Sequence, residues 1–233
     1  MTVLSVTREA CTQGIALEQP TLLIGSTTRE VVELAGLVQD VADMIARSFE
    51  WQELNAIATI TGDGATEDFD LPADYDRMLK KSQLWSSSLE TPLSPISGRD
   101  KWLGLDVQSF DFVINAWIIY GGQIHVKPAL ATGVTAKYWY QSNKKVVATD
   151  GTTTKASFTA DSDVFRLDEQ LLKYGLIWRW RSMKGLPYAE DLATYGRRLE
   201  QLASDDKGSR MIRIGRSRFS QDLTVAYPQS ITG

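Results

Sequence analysis

The sequence predicts an α+β protein: an antiparallel helical bundle from both chain ends, an inserted antiparallel β-sandwich or barrel, and an extended C-terminal tail. Apolar residues recur every three or four positions near both ends, which is the period of helices packed on one face. In the middle they alternate as in strands, and Gly, Pro and Asp turns separate the alternating runs. We therefore expect helical residues at 1–54, a β-rich domain at 55–164, further helical residues at 165–206, and a partner-docking tail at 207–233.

The N-terminal part of the chain predicts a short helix that ends near Gly14 and a long helix from Thr27 to about Trp51. Thr27 and Glu30 have the spacing of a capping box, in which each side chain binds a free backbone N–H at the helix start. The apolar stripe of the long helix consists of Val31, Leu34, Val38, Val41 and Ile45. Because this stripe keeps the helical period throughout, the long helix is the clearest element in the sequence.

The middle of the chain predicts short strands joined by turns. Gly121-Gly122 joins two β-forming runs into a hairpin over 112–126, and residues 134–140 predict a further strand. Residues 91–99 predict a loop, and residues 102–107 a strand or an extended loop. Additional extended runs lie at 55–64, 69–72 and 78–86. Short strands separated by turns favour a small antiparallel sandwich or barrel.

Two helices are predicted after the β region. The first spans 164–184, with Asp163 as its N-cap and Lys184-Gly185-Leu186-Pro187 at its end, and the second spans about 188–205. Apolar residues surround more of helix 164–184 than the stripe of a surface helix requires, which favours packing against further copies of the chain. The alternative is a central helix buried wholly within one subunit. The predicted subunit interface comprises Leu172, Leu176, Trp178, Trp180 and Met183.

The composition disfavours an enzyme. The 233 residues include one cysteine, Cys11, and one histidine, His125. These counts exclude an internal disulfide framework and a zinc site built from His and Cys. Four carboxylates cluster around Pro72, where aspartate commonly forms turns: Asp68, Asp70, Asp74 and Asp76. We therefore predict no catalytic residue, no metal site and no cofactor.

The net charge of −4 is distributed unevenly along the chain. Residues 1–54 carry eight acidic and three basic side chains, whereas the tail carries five basic side chains against Asp222 alone. Neighbouring copies, or a partner of opposite charge, would complement this asymmetry, and the alternative is a solvated tail without a partner. No apolar run is long enough to span a bilayer, and the first residues lack a signal-peptide pattern, so we expect no membrane association.

Several segments, taken in order, are typical of one protein family. The most specific are Leu71-Pro72-Ala73-Asp74-Tyr75 and Gly185-Leu186-Pro187-Tyr188, and further segments lie at 49–54, 57–60, 138–142, 165–169 and 175–180. Their order and spacing, over about 25–210, resemble the head–tail adaptor (connector) proteins of tailed bacteriophages. The likeness is to the type with a β domain inserted in a helical core, as in podoviruses, siphoviruses and gene transfer agents.

The resemblance implies a structural role in the virion. Such adaptors form a ring, usually of twelve copies, beneath the portal protein at the head–tail junction, after assembly in the host bacterial cytoplasm. The ring extends the DNA channel without sequence-specific DNA binding and offers a docking surface for tail, nozzle or tail-terminator proteins. The C-terminal segment of such adaptors commonly reaches the portal. The portal-binding residues implied for this chain are Arg210, Arg213, Arg216, Arg218 and Tyr227.

Two other functions stay open at this point. A glycan- or receptor-binding β module of a phage tail would use the tryptophans of the β region: Trp85, Trp102, Trp117 and Trp139. A carboxylate-based hydrolase would use Asp70 or Asp74 and would need a cleft around them. An adaptor instead requires extensive contacts between subunits.

Overall fold

The computed structural model of the chain describes residues 1–89, 91–107 and 115–207, apart from the side chain of Asp106. Five α-helices form in these residues: α1 Val3–Ala10, α2 Arg29–Ser48, α3 Arg99–Val107, α4 Glu169–Met183 and α5 Ala189–Lys207. The strands are β1 Asn55–Thr61, β2 Asp68–Asp70, β3 Tyr75–Met78, β4 Trp85–Ser86, β5 Ser94–Pro95, β6 Ala116–Tyr120, β7 Gln123–Lys127, β8 Thr135–Ser142, β9 Val146–Val147, β10 Thr154–Lys155 and β11 Val164–Phe165. The predicted α+β class is therefore confirmed.

Helix α4 lies at the centre of the helical core. It packs against α1, α2 and α5, so residues from both ends of the chain share one core. At Gly175 the backbone of α4 approaches α2 so closely that a Cβ atom would lie 2.4 Å from Cγ1 of Val41. The absence of a side chain at this position is therefore what allows the two helices to meet.

Most strands belong to two sheets that share a second core. One sheet has the order β1-β8-β3, with β4 also paired to β8, and the other has the order β2-β7-β6-β5. Their common core contains Ala58, Ile60, Trp117, Ile124, Val126 and Tyr138. Pairing is antiparallel except between β5 and β6. The described strands do not close into a barrel, so the expected sandwich or barrel is confirmed only in its antiparallel pairing.

A third, small sheet of order β10-β9-β11 follows β8 and packs on the helices. Its residues Val146 and Phe165, together with Phe158 from the same stretch, are buried in the helical core rather than in the β core. The backbone oxygen of Asp163 also accepts the N–H of Val3 at 2.7 Å. This stretch therefore joins the first helix to the rest of the helical core. The division of the chain at 54, 164 and 206 stays a prediction.

The ends of α2 differ from the predicted ones. The helix begins at Arg29, and Thr28 at its cap forms no capping hydrogen bond, so the Thr27–Glu30 capping box is wrong. It ends at Ser48, before the predicted Trp51, because Phe49 is extended. The indole N–H of Trp51 instead turns back and donates to the carbonyl oxygen of Ile45 at 2.8 Å. The hydroxyl of Ser48 donates to the same oxygen at 2.7 Å, so two side chains satisfy a carbonyl of the last helical turn.

Two further local predictions are wrong. Residues 102–107, expected to be extended, belong to helix α3, because Trp102 and Leu105 lie three residues apart and both pack on Ala116 and Ile118. Asp163 does not cap α4, which begins at Glu169. Asp168 is the cap, and its carboxylate accepts the N–H of Leu171 at 2.6 Å.

Candidate interaction surfaces

The carboxylates and the histidine singled out in the sequence are engaged in structural contacts. His125, in β7, faces Asp68 in register, and its Nδ1 lies 2.5 Å from the Asp68 carboxylate. Its Nε2 lies 3.2 Å from the carbonyl oxygen of Tyr120, whose ring stacks on the imidazole at 3.7 Å. With both ring nitrogens occupied and the ring buried, His125 has no free nitrogen to act as a catalytic base.

The hydroxyls of Tyr140 and Ser142 donate to the carboxylate of Asp74 at 2.9 and 2.7 Å. Burial disfavours the charged carboxylate, but these hydrogen bonds outweigh it and lower the pKa of Asp74. Asp70 accepts a hydrogen bond from Gln123, and Asp76 pairs with arginines. Asp70 and Asp74 thus bind side chains of the neighbouring strands β7 and β8, and Asp76 connects β3 to α2. Within the described ranges, no group of three or more His, Cys, Asp or Glu residues could hold a metal ion.

The structure divides the predicted subunit-interface residues into two groups. Leu172, Leu176 and Trp180 are buried within the helical core of the subunit itself. Trp178 is half-buried, with its ring against those of Tyr188 and Tyr195. Met183 remains 54% exposed. The apolar excess of α4 is thus covered mainly by the chain's own α1, α2 and α5, and only Met183 of the five presents a largely free apolar side chain.

Met183 belongs to a larger apolar surface that the sequence alone did not single out. We call it the hairpin tip, and it consists of the exposed side chains at the turn between α4 and α5: Met183, Leu186, Tyr188 and Leu192. Arg181 and Asp191 form an ion pair of 2.6 Å across this turn. Arg181 also donates to the carbonyl oxygen of Gly14 at 2.9 Å, which connects the turn to the π-helical segment Cys11–Ile15 that follows α1. The hairpin tip is therefore held in one position on the helical core.

A second apolar surface covers the outer side of the first sheet. We call it the sheet face, and it consists of Ile57, Trp85, Lys137 and Trp139. Ile57 of β1 lies directly opposite Trp139 of β8, and Lys137 lies opposite Trp85 of β4. Trp139 is 47% exposed. Of the four tryptophans considered in the sequence, Trp102 and Trp117 are buried, so only Trp85 and Trp139 can serve as an aromatic surface.

A groove of about 670 Å³ lies next to the sheet face. Trp139 lines it together with the ends of α2 and α5 and with five basic side chains: Arg47, Arg77, Lys80, Lys81 and Lys207. The carboxylate of Asp206 accepts the N–H of Gln52 at 3.1 Å, which fixes the end of α5 beside the start of β1. Lys207, the last residue that the structure describes, thus lies beside this groove. The predicted portal-binding residues, Arg210, Arg213, Arg216, Arg218 and Tyr227, lie outside the described residues.

Comparison with known proteins identifies the family. The model of the SU10 adaptor protein family matches residues 1–225, nearly the whole chain. The chain belongs to the SU10 adaptor protein family. A search of curated proteins gave no match. Membership in the SU10 adaptor family confirms the resemblance to phage adaptor proteins.

Membership also implies contacts with other head or tail proteins of the phage, and it suggests a component of the virion. Structural adaptors of phages are not typically enzymes. In the part of the chain that the structure describes, no helix is both long enough and apolar enough to cross a membrane.

Proposed function

We propose that this SU10-family protein is a head–tail adaptor that forms a ring beneath the portal, extends the DNA channel and provides the docking surface for tail proteins. The family match over residues 1–225 carries this proposal. Two exposed apolar surfaces support it, the hairpin tip on the helical core and the sheet face on the β core. Exposed apolar surfaces of this kind are typical of subunits that bind other proteins.

In the proposed ring the hairpin tip contacts the neighbouring subunit. Met183 supplies exposed apolar area, and the ring of Trp178 lies beside that of Tyr188. Leu172, Leu176 and Trp180 act from inside the subunit, where they hold α4 in place. Because a ring requires two different surfaces on each subunit, the tip meets another face of the next copy. Twelve copies are the number that the adaptor resemblance suggests.

In the proposed assembly the C-terminal tail binds the portal. Arg210, Arg213, Arg216 and Arg218 pair with acidic side chains of the portal or of a neighbouring adaptor, and Tyr227 adds an aromatic anchor. The acidic residues of segment 1–54 supply opposite charge on adjacent copies. The helical core braces the ring, and the β core carries the surface for a tail, nozzle or tail-terminator protein. DNA passes through the lumen of the virion's head–tail junction without sequence-specific contacts.

Removal of the tail tests this proposal. A chain ending at Lys207 retains both cores, so we expect it to keep the helical circular dichroism signal of the full chain. We also expect it to lose binding to purified portal protein, measured as the mass of the mixture by light scattering or electron microscopy. The full chain should form a ring-sized complex with the portal. A shortened chain that binds the portal as well as the full chain does would contradict the proposed role of the tail.

The exposed tryptophans support one alternative function. Trp85 and Trp139 lie on the same face of the sheet, where they would offer an aromatic platform to a sugar ring or receptor. A glycan array distinguishes the two functions, because an adaptor should bind no glycan on it. Carboxylate-based hydrolysis receives no such support, since Asp70 and Asp74 are engaged within the β region.

A further inference from the structure

Strand β1 has a free edge. The sheet order β1-β8-β3 places it at the border, and no described residue pairs with its second side. In an antiparallel pair, the backbone groups of alternate residues point toward the partner and away from it. Gly62, which follows β1, donates its N–H to the carbonyl oxygen of Val134, just before β8. The backbone groups of the even-numbered residues of β1 therefore point toward β8. The N–H and C=O groups of Ile57, Thr59 and Thr61 therefore point outward.

The other strands of the sheet agree with this assignment. On β8, the N–H of Trp139 donates to the hydroxyl of Ser82, on the side away from β1. Trp139 lies opposite Ile57, so the backbone groups of both residues point away from their common ladder. The side chains of Ile57, Thr59 and Thr61 are exposed as well. An exposed strand edge with an apolar side chain beside it is a template for an additional strand.

The tail contains a segment with the properties of such a strand. Residues 223–227 read Leu-Thr-Val-Ala-Tyr, with larger apolar side chains at every second position, and Pro228 follows directly. This is the pattern of a short strand with one apolar face, ended by a residue that cannot continue the pairing. Beyond residue 218 the only charged side chain is Asp222. Its negative charge complements the lysines of the adjacent groove, Lys80, Lys81 and Lys207.

The tail begins close to this edge. Asp206 binds Gln52, three residues before β1 begins, and Lys207 lines the groove together with Trp139. Residues 208–222 can span up to about 50 Å, and β1 is about 23 Å long, so residues 223–227 can reach the edge in either direction. Because the tail is part of the same chain, its effective concentration at the edge is on the order of millimolar.

We propose that in the free subunit residues 223–227 pair with the outer edge of β1 as an added strand, with Leu223, Val225 and Tyr227 beside Ile57 on the sheet face, and that portal binding withdraws this strand. Only the withdrawal rests on the proposed portal docking; the pairing belongs to the isolated chain. The added strand covers an edge that would otherwise pair with other chains, and it keeps Tyr227 engaged until the portal competes for it. Assembly would then be restrained in free subunits, because only the released fraction of tails can bind.

Amide hydrogen exchange of the isolated chain tests the pairing. We expect the amides of Ile57, Thr59 and Thr61 to exchange at least about tenfold more slowly in the full chain than in the chain ending at Lys207. The amides of Ala58 and Ile60 already bond to β8 and serve as internal controls with equal rates in both chains. Equal rates at Ile57, Thr59 and Thr61 in the two chains would overturn the proposal, whether or not the tail binds the portal.

Proline substitutions separate the pairing from other effects of truncation. In the full chain, Val225→Pro should restore fast exchange at the three edge amides, whereas the matched Ser230→Pro, beyond Pro228, should not. Thr59→Pro removes a single outward N–H and should weaken the pairing while the β1–β8 ladder remains. Slow exchange that disappears on tenfold dilution would assign the strand to a second copy and overturn pairing within one chain.

Portal protein tests the withdrawal separately. When the full chain is saturated with portal, deuterium uptake of the peptide over 55–61, measured by mass spectrometry, should rise to that of the chain ending at Lys207. Thr59→Pro should bind the portal more tightly than the unmodified chain, by up to about tenfold, because fewer tails are held back. Uptake that stays low in the portal complex would exclude the withdrawal and leave the pairing standing.

Discussion

The carboxylate of Asp163 is deeply buried and holds together the turn between β10 and β11. Its side chain is only 1% exposed and accepts Lys155 at 2.7 Å and the N–H groups of Thr159 and Ala160 at 2.8 and 3.0 Å. Burial opposes the charged form, but the lysine and the two backbone donors outweigh it and lower the pKa of Asp163. The carboxylate therefore stabilises the turn that carries the N-terminal helix.

The pH dependence of stability follows from this lowered pKa. An aspartate whose pKa is lower in the folded chain contributes stability that is fully present above the unfolded value, near 4. The contribution is lost as the pH falls through the folded pKa. We expect Asp163→Asn to reduce the free energy of unfolding at pH 7 by about 2–4 kcal/mol, because Lys155 loses its charged partner.

Urea unfolding measured from pH 7 to pH 3 checks this prediction. The difference between Asp163→Asn and the unmodified chain should shrink as the pH falls below about 4, since protonation removes the same charge. Asp40→Asn, on the exposed side of α2, serves as the control and should leave the profile unchanged. A difference that stays constant over this range would show that the charge of Asp163 is not what stabilises the turn.

For single residues, the sequence predicted which side chains could form caps or lie in strands, but not which partners they contact. Asp163 and Asp168 both precede an apolar periodic stretch, and each has backbone N–H groups within reach of its carboxylate. Which of the two caps α4 depends on where the chain turns after β11, and the third sheet decides that. His125 was correctly expected in a strand, whereas its contact with Asp68 depends on the register between β2 and β7.

Among the elements, α4 shows how a single glycine sets the distance between helices. In most helix interiors Gly→Ala stabilises by about 1 kcal/mol, because alanine restricts the unfolded chain and favours the helix. At Gly175 the added Cβ would lie 2.4 Å from Cγ1 of Val41 and 3.4 Å from the ring of Tyr195. We expect Gly175→Ala to destabilise by about 1–3 kcal/mol, because α2 must move away from α4.

The same substitution in α5 provides a matched control. A Cβ at Gly196 would meet no atom within 4 Å apart from its own helix. Gly196→Ala should therefore leave stability unchanged or raise it by up to about 1 kcal/mol. Thermal and urea unfolding of the two variants should shift in opposite directions. A Gly175→Ala variant as stable as Gly196→Ala would contradict the close approach of α2 and α4.

The elements that could be predicted from the sequence are those whose own residues show a recognisable helix or strand pattern. Helix α2 and most of strand β8 bury one regular face, and their period is visible without the fold. The hairpin of β6 and β7 is buried on both faces, and β-forming residues around Gly121-Gly122 identified it. Helix α3 and the strands of the third sheet were missed, because short elements are fixed by contacts with residues distant in sequence. Of the hairpin tip, the sequence singled out only Met183, because the exposure of the other side chains depends on how α4 and α5 pack.

At the scale of the whole molecule, the helical core includes residues from the stretch of chain that the sequence assigned to the β domain. Phe158 and Val146, within the part expected to belong to the β domain, are buried among the helices, whereas Ile124 is buried between the sheets. The segment from 143 to 168 therefore returns to the helical core before α4 begins. If the cores unfold as separate cooperative units, a cavity in one should weaken that core first.

Matched cavities in the two cores test this arrangement in the full chain. Phe158→Ala should lower the stability of the helical core by about 3–5 kcal/mol and speed amide exchange in α2 and α4, while β8 exchanges as before. Ile124→Ala should cost about 2–5 kcal/mol in the β core, with faster exchange in β8 and little change in α4. Residue-resolved hydrogen exchange distinguishes the two patterns. Faster exchange in β8 than in α4 after Phe158→Ala would place segment 143–168 with the sheets and favour the boundary at 164.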